Sequence, residues 1–514
     1  MGFLIKNGKL LATNGKLINF NEEKLRETED ALVEGTLTEY TNDRVSTIGS
    51  YAFCNNSTFQ SVAFNNVLTI NSDAFQDCSN LKEISFPLCE VIGYGAFGWC
   101  KNLKSVNFPL CTIISSSAFI YCTSLQSISF PQCVSIGAYA FQYCSSLQEA
   151  NFPLCSYISN YAFNNCSNLQ EVDFPLVTML DNVFQSCYNL KKVNLSICSY
   201  LSYTFYNCYS LKNIFLPNCR TTNAAFQKCY SLQEMKFIRH VSIGRSTFLD
   251  CSSFESLYML DTSVPTLDNI NAFANTPLSN STYLGYYGSI YVPSVAVESY
   301  KSATNWIAYS DRITALPSEY DSKYVYGYEF YNRSDLIEVP SNKLDAELIG
   351  DYTFYACNSL QSISFPKCTL IGRNVFNNCY SLQEVNLPLC EFVGYSAFTY
   401  CRSLRKISFS MCKCIDTTAF NGCTSLQSIS LPQCISIGTF AFQGCTKLES
   451  IYLNVSNVPY LANLGAFENT PLSKSTYLGY YGSIYVPTSL YSDFIVASNW
   501  SNYKDRIVSY NFED

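Results

Sequence analysis

The sequence predicts a solenoid of short coils: a β-rich α/β horseshoe with a parallel sheet on its concave face and short 3-10 or extended turns on its convex side. Three observations carry this. Phenylalanine recurs at a near-constant step: Phe53, Phe75, Phe97, Phe119, Phe141 and Phe163 at 22 residues, then Phe184, Phe205 and Phe226 at 21 and Phe248 at 22. A second run, Phe354, Phe376, Phe398, Phe420 and Phe442, keeps the 22-residue step throughout. Between successive rings lies one short stretch that alternates apolar and polar residues, the period of a half-buried strand. Finally, the segment PLSNSTYLGYYGSIYVP at 277–293 returns at 471–487, changed only at Asn280/Lys474, so each run is followed by the same module.

One clean coil runs from Cys122 to Phe141. Its Leu125-x-x-Ile128-x-Phe130-x-x-Cys133 segment matches the strand consensus of a leucine-rich repeat, for which periods of 20–29 residues are the signature. Ile128 and Phe130 alternate with Ser127 and Ser129, which predicts one buried and one wet strand face. Pro131 lacks an N–H and stops the ladder. Ile136-Gly137 turns the chain, and Ala140-Phe141 returns a ring to the core from the convex side. A coil this tight leaves no room for a long helix there.

Taken in order, the elements are as follows. Residues 1–30 read as a small β-meander, because Asn7-Gly8 and Asn14-Gly15 sit between short apolar stretches and suit type I′ turns. Met1–Phe20 has no charged leader followed by an unbroken apolar core, so no signal peptide is expected within it. Residues 31–260 form a first array of about ten coils and 261–316 its cap. The cap is needed because a terminal coil would otherwise expose its core. Within it, 295–309 is expected to be a short helix with Glu298 early. Residues 317–344, rich in tyrosine, form a linker or degenerate first coil; 345–453 form a second array of about five coils, and 454–514 a second cap that repeats Trp306 and Asp311-Arg312-Ile313 as Trp500 and Asp505-Arg506-Ile507.

The coil pattern, a Cys or Asn before Ser-Leu, then I-x-L-P or I-x-F-P, then I-G-x-x-A-F, resembles the BspA-like (Treponema pallidum-type) leucine-rich repeats of bacterial and protozoan surface proteins. That resemblance implies a repeat-built scaffold, a location at the cell surface or in secretion, and a host matrix or cell-surface component as ligand. With no signal peptide visible in the chain, a cytoplasmic location stays open. The family is defined by its scaffold and not by a site.

Composition narrows the chemistry. Of 514 residues 48% are hydrophobic and only 14% charged, with net charge −8. The polar surface must therefore be mostly Ser, Asn, Gln, Thr and Tyr. An acidic balance without a Lys/Arg cluster argues against nucleic acid as a partner, since phosphates demand a basic stripe. No apolar run reaches the ~18–20 residues of a membrane span. The single histidine, His240, stands without a positioned nucleophile, and neither a G-x-S-x-G elbow nor a phosphate loop is present. The reading is a protein that is not an enzyme, with no catalytic residues, no cofactor and no metal.

The 26 cysteines fall mostly into two registers, three and fourteen residues after the repeated Phe. At ~5 Å per coil, disulfides along a ladder are within reach. However, stacked side chains point in parallel, and Asn56 and Val177 stand in ladder positions without compensation. Zinc would require C-x-x-C pairs or Cys/His sets, and no C-x-x-C occurs. Free buried thiols that pack as small hydrophobes are expected.

The concave face is the candidate ligand surface. Most coils place small polar residues outward, as in Ser127/Ser129 and Ser428/Ser430. The monotony breaks at Glu149/Asn151, Glu171/Asp173, Lys192/Asn194, Asn213/Phe215 and Glu234/Lys236. Phe215 is an aromatic where the pattern wants Ser or Asn, an anchor candidate. The function read from this is non-enzymatic recognition or adhesion, binding a protein or glycan through the repeat-built surface. The Tyr-rich caps at Tyr286, Tyr287, Tyr480 and Tyr481 are a second candidate. The alternative is a structural or assembly scaffold, intracellular or particle-associated, docked through the N-terminal meander.

Overall fold

The computed structural model describes residues 4–6, 9–11, 39–41, 45–195, 197–279, 287–321, 323–473 and 481–512. Nearly every coil contributes one three- or four-residue strand, and successive strands pair in parallel with equivalent residues opposite each other. Ser127 faces Glu149, which faces Glu171, which faces Lys192. Such an in-phase ladder follows from the repeat, because a coil that rises by one inter-strand spacing returns each residue beside its counterpart. In most of these strands the central residue is buried and its neighbours point outward, as in Ser127–Ser129 and Glu149–Asn151; Val106 and Val193 are only partly buried. The strand faces are therefore those that the alternation predicts.

The convex side is more regular than expected. Where short 3-10 or extended turns are predicted, two-residue strands form a second parallel ladder. Thr47–Ile48, Thr69–Ile70, Val91–Ile92, Ile113–Ile114, Ser135–Ile136 and Tyr157–Ile158 make one six-stranded sheet. The second residue of each pair is buried and β-branched, so it suits an extended backbone. Gly137, which follows, has a steric reason to be glycine: a Cβ there would lie 2.3 Å from the Ser116 nitrogen of the preceding coil. Apart from Ser341–Lys343, the 3-10 turns among the described residues belong to the segments 294–309 and 488–503.

The repeated phenylalanines build the core as a stacked column. Phe119, Phe141 and Phe163 stack at 5.3 and 5.1 Å with near-parallel planes, and all three are fully buried. A second column of strand-end rings, including Phe130 and Phe152, meets the first edge-on or tilted. Offset stacking along each column and edge contact between columns satisfy the ring quadrupoles together. The first column runs on to Phe273 and the later one from Phe330 to Phe467, rings that the constant step does not pick out because their spacings lengthen to 24 or 25 residues.

All 26 cysteines are free thiols, and all but Cys54 are buried. They do more than fill space. In the first register each thiol donates to the carbonyl of the repeated Phe one coil back, as Cys100 does to Phe75 and Cys122 to Phe97 at 3.1 and 3.2 Å. In the second register the thiol donates to the carbonyl two residues on, as Cys133 does to Ser135 at 3.4 Å. Burial pushes the thiols of Cys89, Cys133, Cys198 and Cys368 up to about 12. A thiol held neutral and out of water is a poor nucleophile. Apart from Cys54, the thiols of the native protein should therefore resist maleimide labelling and become fully labelled in denaturant. Mass spectrometry of unreduced protein that found ladder disulfides would overturn this.

The repeated modules close the Phe columns. Trp306 donates its Nε1–H to the Pro265 carbonyl at 2.7 Å, and Trp500 does the same to Pro459. Tyr309 meets Phe273 edge-on at 5.2 Å and Tyr503 meets Phe467 at 5.3 Å. The expected helix over 295–309 is broken into three: 3-10 turns at Ser294–Ala296 and Trp306–Tyr309 flank an α-helix at Val297–Ser302. At the N-terminus, Leu4–Lys6 pairs antiparallel with Lys9–Leu11, Lys6 opposite Lys9. The turn Asn7-Gly8, the pair Asn14-Gly15 and most of 1–30 lie outside the described residues.

The later coils fold back onto the earlier ones. The core divides into one cluster from Ile48 to Ile313 and another from Val325 to Ile507. A third, smaller cluster joins them: Ile238, Leu260 and Leu316 on one side with Leu348, Leu370, Phe392 and Cys414 on the other. Leu348, Leu370, Phe392 and Cys414 are the first residues of the later convex strands, and all are buried. Asp351 meets Arg239 at 3.3 Å and Arg220 at 3.9 Å across this seam, and Arg239 is almost wholly buried. Earlier in the later coils the partner lies further along the first ones, where Thr262 donates its hydroxyl to the Gly327 carbonyl at 3.4 Å. The later coils thus run back along the earlier ones in the opposite chain sense.

Candidate functional site

The outward face of the main strands between Glu149 and Lys236 holds two adjoining depressions. The first, about 420 Å³, is lined by Glu149, Asn151, Glu171, Asp173, Lys192 and Asn194 together with the strand backbone. The second, about 300 Å³, is lined by Lys191, Lys192, Asn213, Phe215, Glu234 and Lys236. All ten residues singled out in the sequence as breaks in the serine background therefore line one continuous surface. Lys191 escapes the sequence reading, because it precedes the strand and falls outside the outward alternation.

In-phase pairing brings the charges together. Glu171 lies opposite Lys192 and Asp173 opposite Asn194 in the ladder. Lys192 Nζ reaches Glu171 Oε2 at 3.2 Å, and Asn194 donates to Asp173 Oδ1 at 2.7 Å. Both partners of the ion pair are mostly exposed, so it contributes little stability and its groups remain available to a ligand. Further along, Lys236 Nζ lies 3.4 Å from Glu234 and 5.3 Å above the Tyr258 ring.

One of the interruptions of the main sheet falls within this stretch. The strand at Lys192–Asn194 ends one sheet, Glu234–Phe237 begins the next, and the coil between them contributes only a single bridge, Phe215 to Lys236. Phe215 stands 47% exposed at this break. A large ring so placed offers apolar area that no internal packing requires. The open face stops at the next coils. Tyr258, opposite Lys236 in the ladder, stacks on Tyr291 at 4.8 Å and is covered by Tyr320 at 5.5 Å.

Of the cap tyrosines, Tyr287 and Tyr481 are exposed, each with an arginine, Arg312 or Arg506, 4.3 Å from its ring centre. They belong to separate modules and are not brought together with the depressions. Tyr286 and Tyr480 lie outside the described residues. His240 is exposed, its Nδ1 3.2 Å from Ser263 Oγ. Among the described residues, no three His, Cys, Asp or Glu side chains are gathered as a metal site would need, and no helix is long and apolar enough to cross a membrane.

Against known proteins, the chain matches the BspA-type leucine-rich-repeat region in six copies, over residues 36–148, 134–255, 181–291, 323–413 and 369–485. Among solved structures it is similar to a leucine-rich-repeat protein of T. pallidum, 26% identical over 34% of this chain and 82% of that one, with a TM-score of 0.28. It is also similar to a leucine-rich-repeat protein of Bacteroides ovatus, 20% identical over 99% and 97% of the two chains, with a TM-score of 0.26. A third, a leucine-rich cell-surface protein of Faecalibacterium prausnitzii, is 21% identical over 82% and 88%, with a TM-score of 0.24. No curated protein matches significantly. Repeat solenoids of this kind serve recognition through extended surfaces. With matched repeats across well over half of its length and the coil ladder they require, the chain belongs to the BspA-type leucine-rich-repeat family.

Proposed function

We propose that this chain is a non-enzymatic recognition protein that binds a protein ligand along the main-strand face between Glu149 and Lys236. A single observation carries the reading: every residue that departs from the serine background in these five coils lines the same pair of adjoining depressions. Opposite charges and an exposed ring side by side are what a protein hot spot uses, a desolvated apolar anchor rimmed by polar groups. A glycan would meet the same surface through its polar rim and is the alternative ligand class. Location at the cell surface, which family membership suggests, is part of the proposal.

The test is a binding screen against host matrix proteins and glycans, followed by variants on any ligand found. Glu171→Lys with Asp173→Lys, and separately Phe215→Ser, should each weaken binding at least tenfold, about 1.4 kcal/mol. These side chains project into solvent, so each change should move stability by only ~0.5 kcal/mol or less. A confirmed ligand held as tightly by all the variants as by wild type would show that this face is not the site. The exposed Tyr287 and Tyr481 would then be the next residues to change.

A further inference from the structure

The fold-back of the later coils has a counterpart that is left open. In those coils, the first residue of each convex strand, Leu348, Leu370, Phe392 and Cys414, is buried against the side of the earlier coils. The earlier coils carry an apolar stripe at the same repeat position, and there it faces solvent. Ile113 is 42%, Tyr157 60% and Met179 59% exposed, with Val91 half-buried beside Ile113 and the half-buried Ser135 standing between Ile113 and Tyr157. Each precedes a buried partner, Ile114, Ile158, Leu180 and Ile92, just as Leu370 precedes Ile371. At ~5 Å per coil the stripe from Val91 to Met179 extends roughly 20 Å.

The receiving surface has an open counterpart as well. In the earlier coils it includes the turn after the main strand, where Leu176 is buried and Ile197 packs half-buried against the joining cluster. The equivalent residues of the later coils, thirteen after the repeated Phe, are Leu389 and Met411, and these are 47% and 38% exposed. One chain therefore holds a used pair of complementary surfaces and an unused pair built from the same repeat positions.

We infer that the protein self-associates through the unused pair, the Val91–Met179 stripe of one copy seating on the Leu389/Met411 turns of a second copy. The occupant is set by the internal precedent: a convex strand face of this repeat is already seen to pack on the side of another solenoid of the same repeat. Because the two surfaces differ, the contact is either reciprocal in a two-fold pair or heterologous, closing into a small ring or continuing as a filament. It involves neither the Glu149–Lys236 depressions nor the seam at Arg239, and so stands independently of the proposed ligand site.

The full chain would be measured by size-exclusion chromatography with light scattering across a wide concentration range. The expected result is a mass of twice the chain or more that rises with concentration. Tyr157→Glu with Met179→Lys, and separately Leu389→Glu with Met411→Lys, should each return it to monomer with an unchanged melting temperature, since all four positions are exposed. Leu88→Glu with Leu110→Glu, exposed turn residues outside the pair, should leave association intact. A wild type that stays monomeric throughout overturns the inference. So does association that survives either test variant, because then one of the two named surfaces is not used.

Discussion

Phe141→Ala is expected to destabilise the protein by ~3–5 kcal/mol, the cost of removing a large ring from a core that cannot close over the gap. The ring has no solvent exposure and sits between Phe119 and Phe163 at 5.3 and 5.1 Å, with Phe130 and Phe152 against its edges. Neither column can slide to fill the space, because each ring is held by the backbone ladder of its own coil. Because coils contact mainly their neighbours, a break at Phe141 separates the coils on either side and the loss should spread along the earlier column. The control is Tyr143→Ala, which removes a ring stacked 4.5 Å from Tyr121 but 36% exposed. It should cost ~1 kcal/mol or less, in the range of an exposed aromatic pair. Calorimetry on the two variants decides the matter. Equal melting temperatures for Phe141→Ala and wild type would show that the column is not what holds the coils together.

Alkali should unfold this protein more sharply than most. Cys89, Cys133, Cys198 and Cys368 are held by burial at about 12, and other ladder thiols, Cys144 and Cys187 among them, are pushed up for the same reason. Unfolded, a thiol ionises at about pH 8.5. The folded state thus favours the neutral form, and the stability from this preference is fully present below about pH 8.5. Above it the unfolded chain gives up protons that the fold retains, and stability falls until the folded-state value is passed. Each such thiol costs about 1.4 kcal/mol per pH unit in that window, so four together cost roughly 5–6 kcal/mol per unit. Tyr309 and Tyr503, also raised to about 12 by burial, add a loss of the same sign at higher pH. Thermal melts under reducing conditions should be flat from about pH 7 to about 8.5 and then fall steeply, with the fold lost by about pH 10–11. A melting temperature unchanged between about pH 8 and about pH 10.5 would mean that the ladder thiols are open to water.

Much of this architecture is legible in the residues alone. The 22-residue step of the repeated Phe, the Leu125-Ile128-Phe130 alternation and Pro131 together specify a coil, its strand and the buried face of that strand. The ten outward residues from Glu149 to Lys236 can be named because a strand points alternate residues the same way. What they line requires the stack. Glu171 meets Lys192 and Asp173 meets Asn194 only because the ladder is in phase. The convex ladder reads from the sequence only as extended turns, since a two-residue strand carries no period of its own. The cysteines read correctly as buried but incompletely as apolar filler. Their donation to the Phe75 and Phe97 carbonyls joins residues 25 positions apart, and composition does not register such a contact.

By itself the sequence determined the coil, the stacking axis and the face that is wet. All of these arise from residues within one period or between adjacent periods, where spacing and geometry are locked together. Only the tertiary structure decided that the later coils turn back on the earlier ones. Ile113 and Tyr157 stand in the same repeat position as Leu370 and Phe392 and are just as apolar, yet the first pair is exposed and the second buried. No local pattern separates them. The difference lies in where the segment after the first closing module sends the chain, and in Arg239 and Asp351 meeting across a seam between residues more than a hundred positions apart.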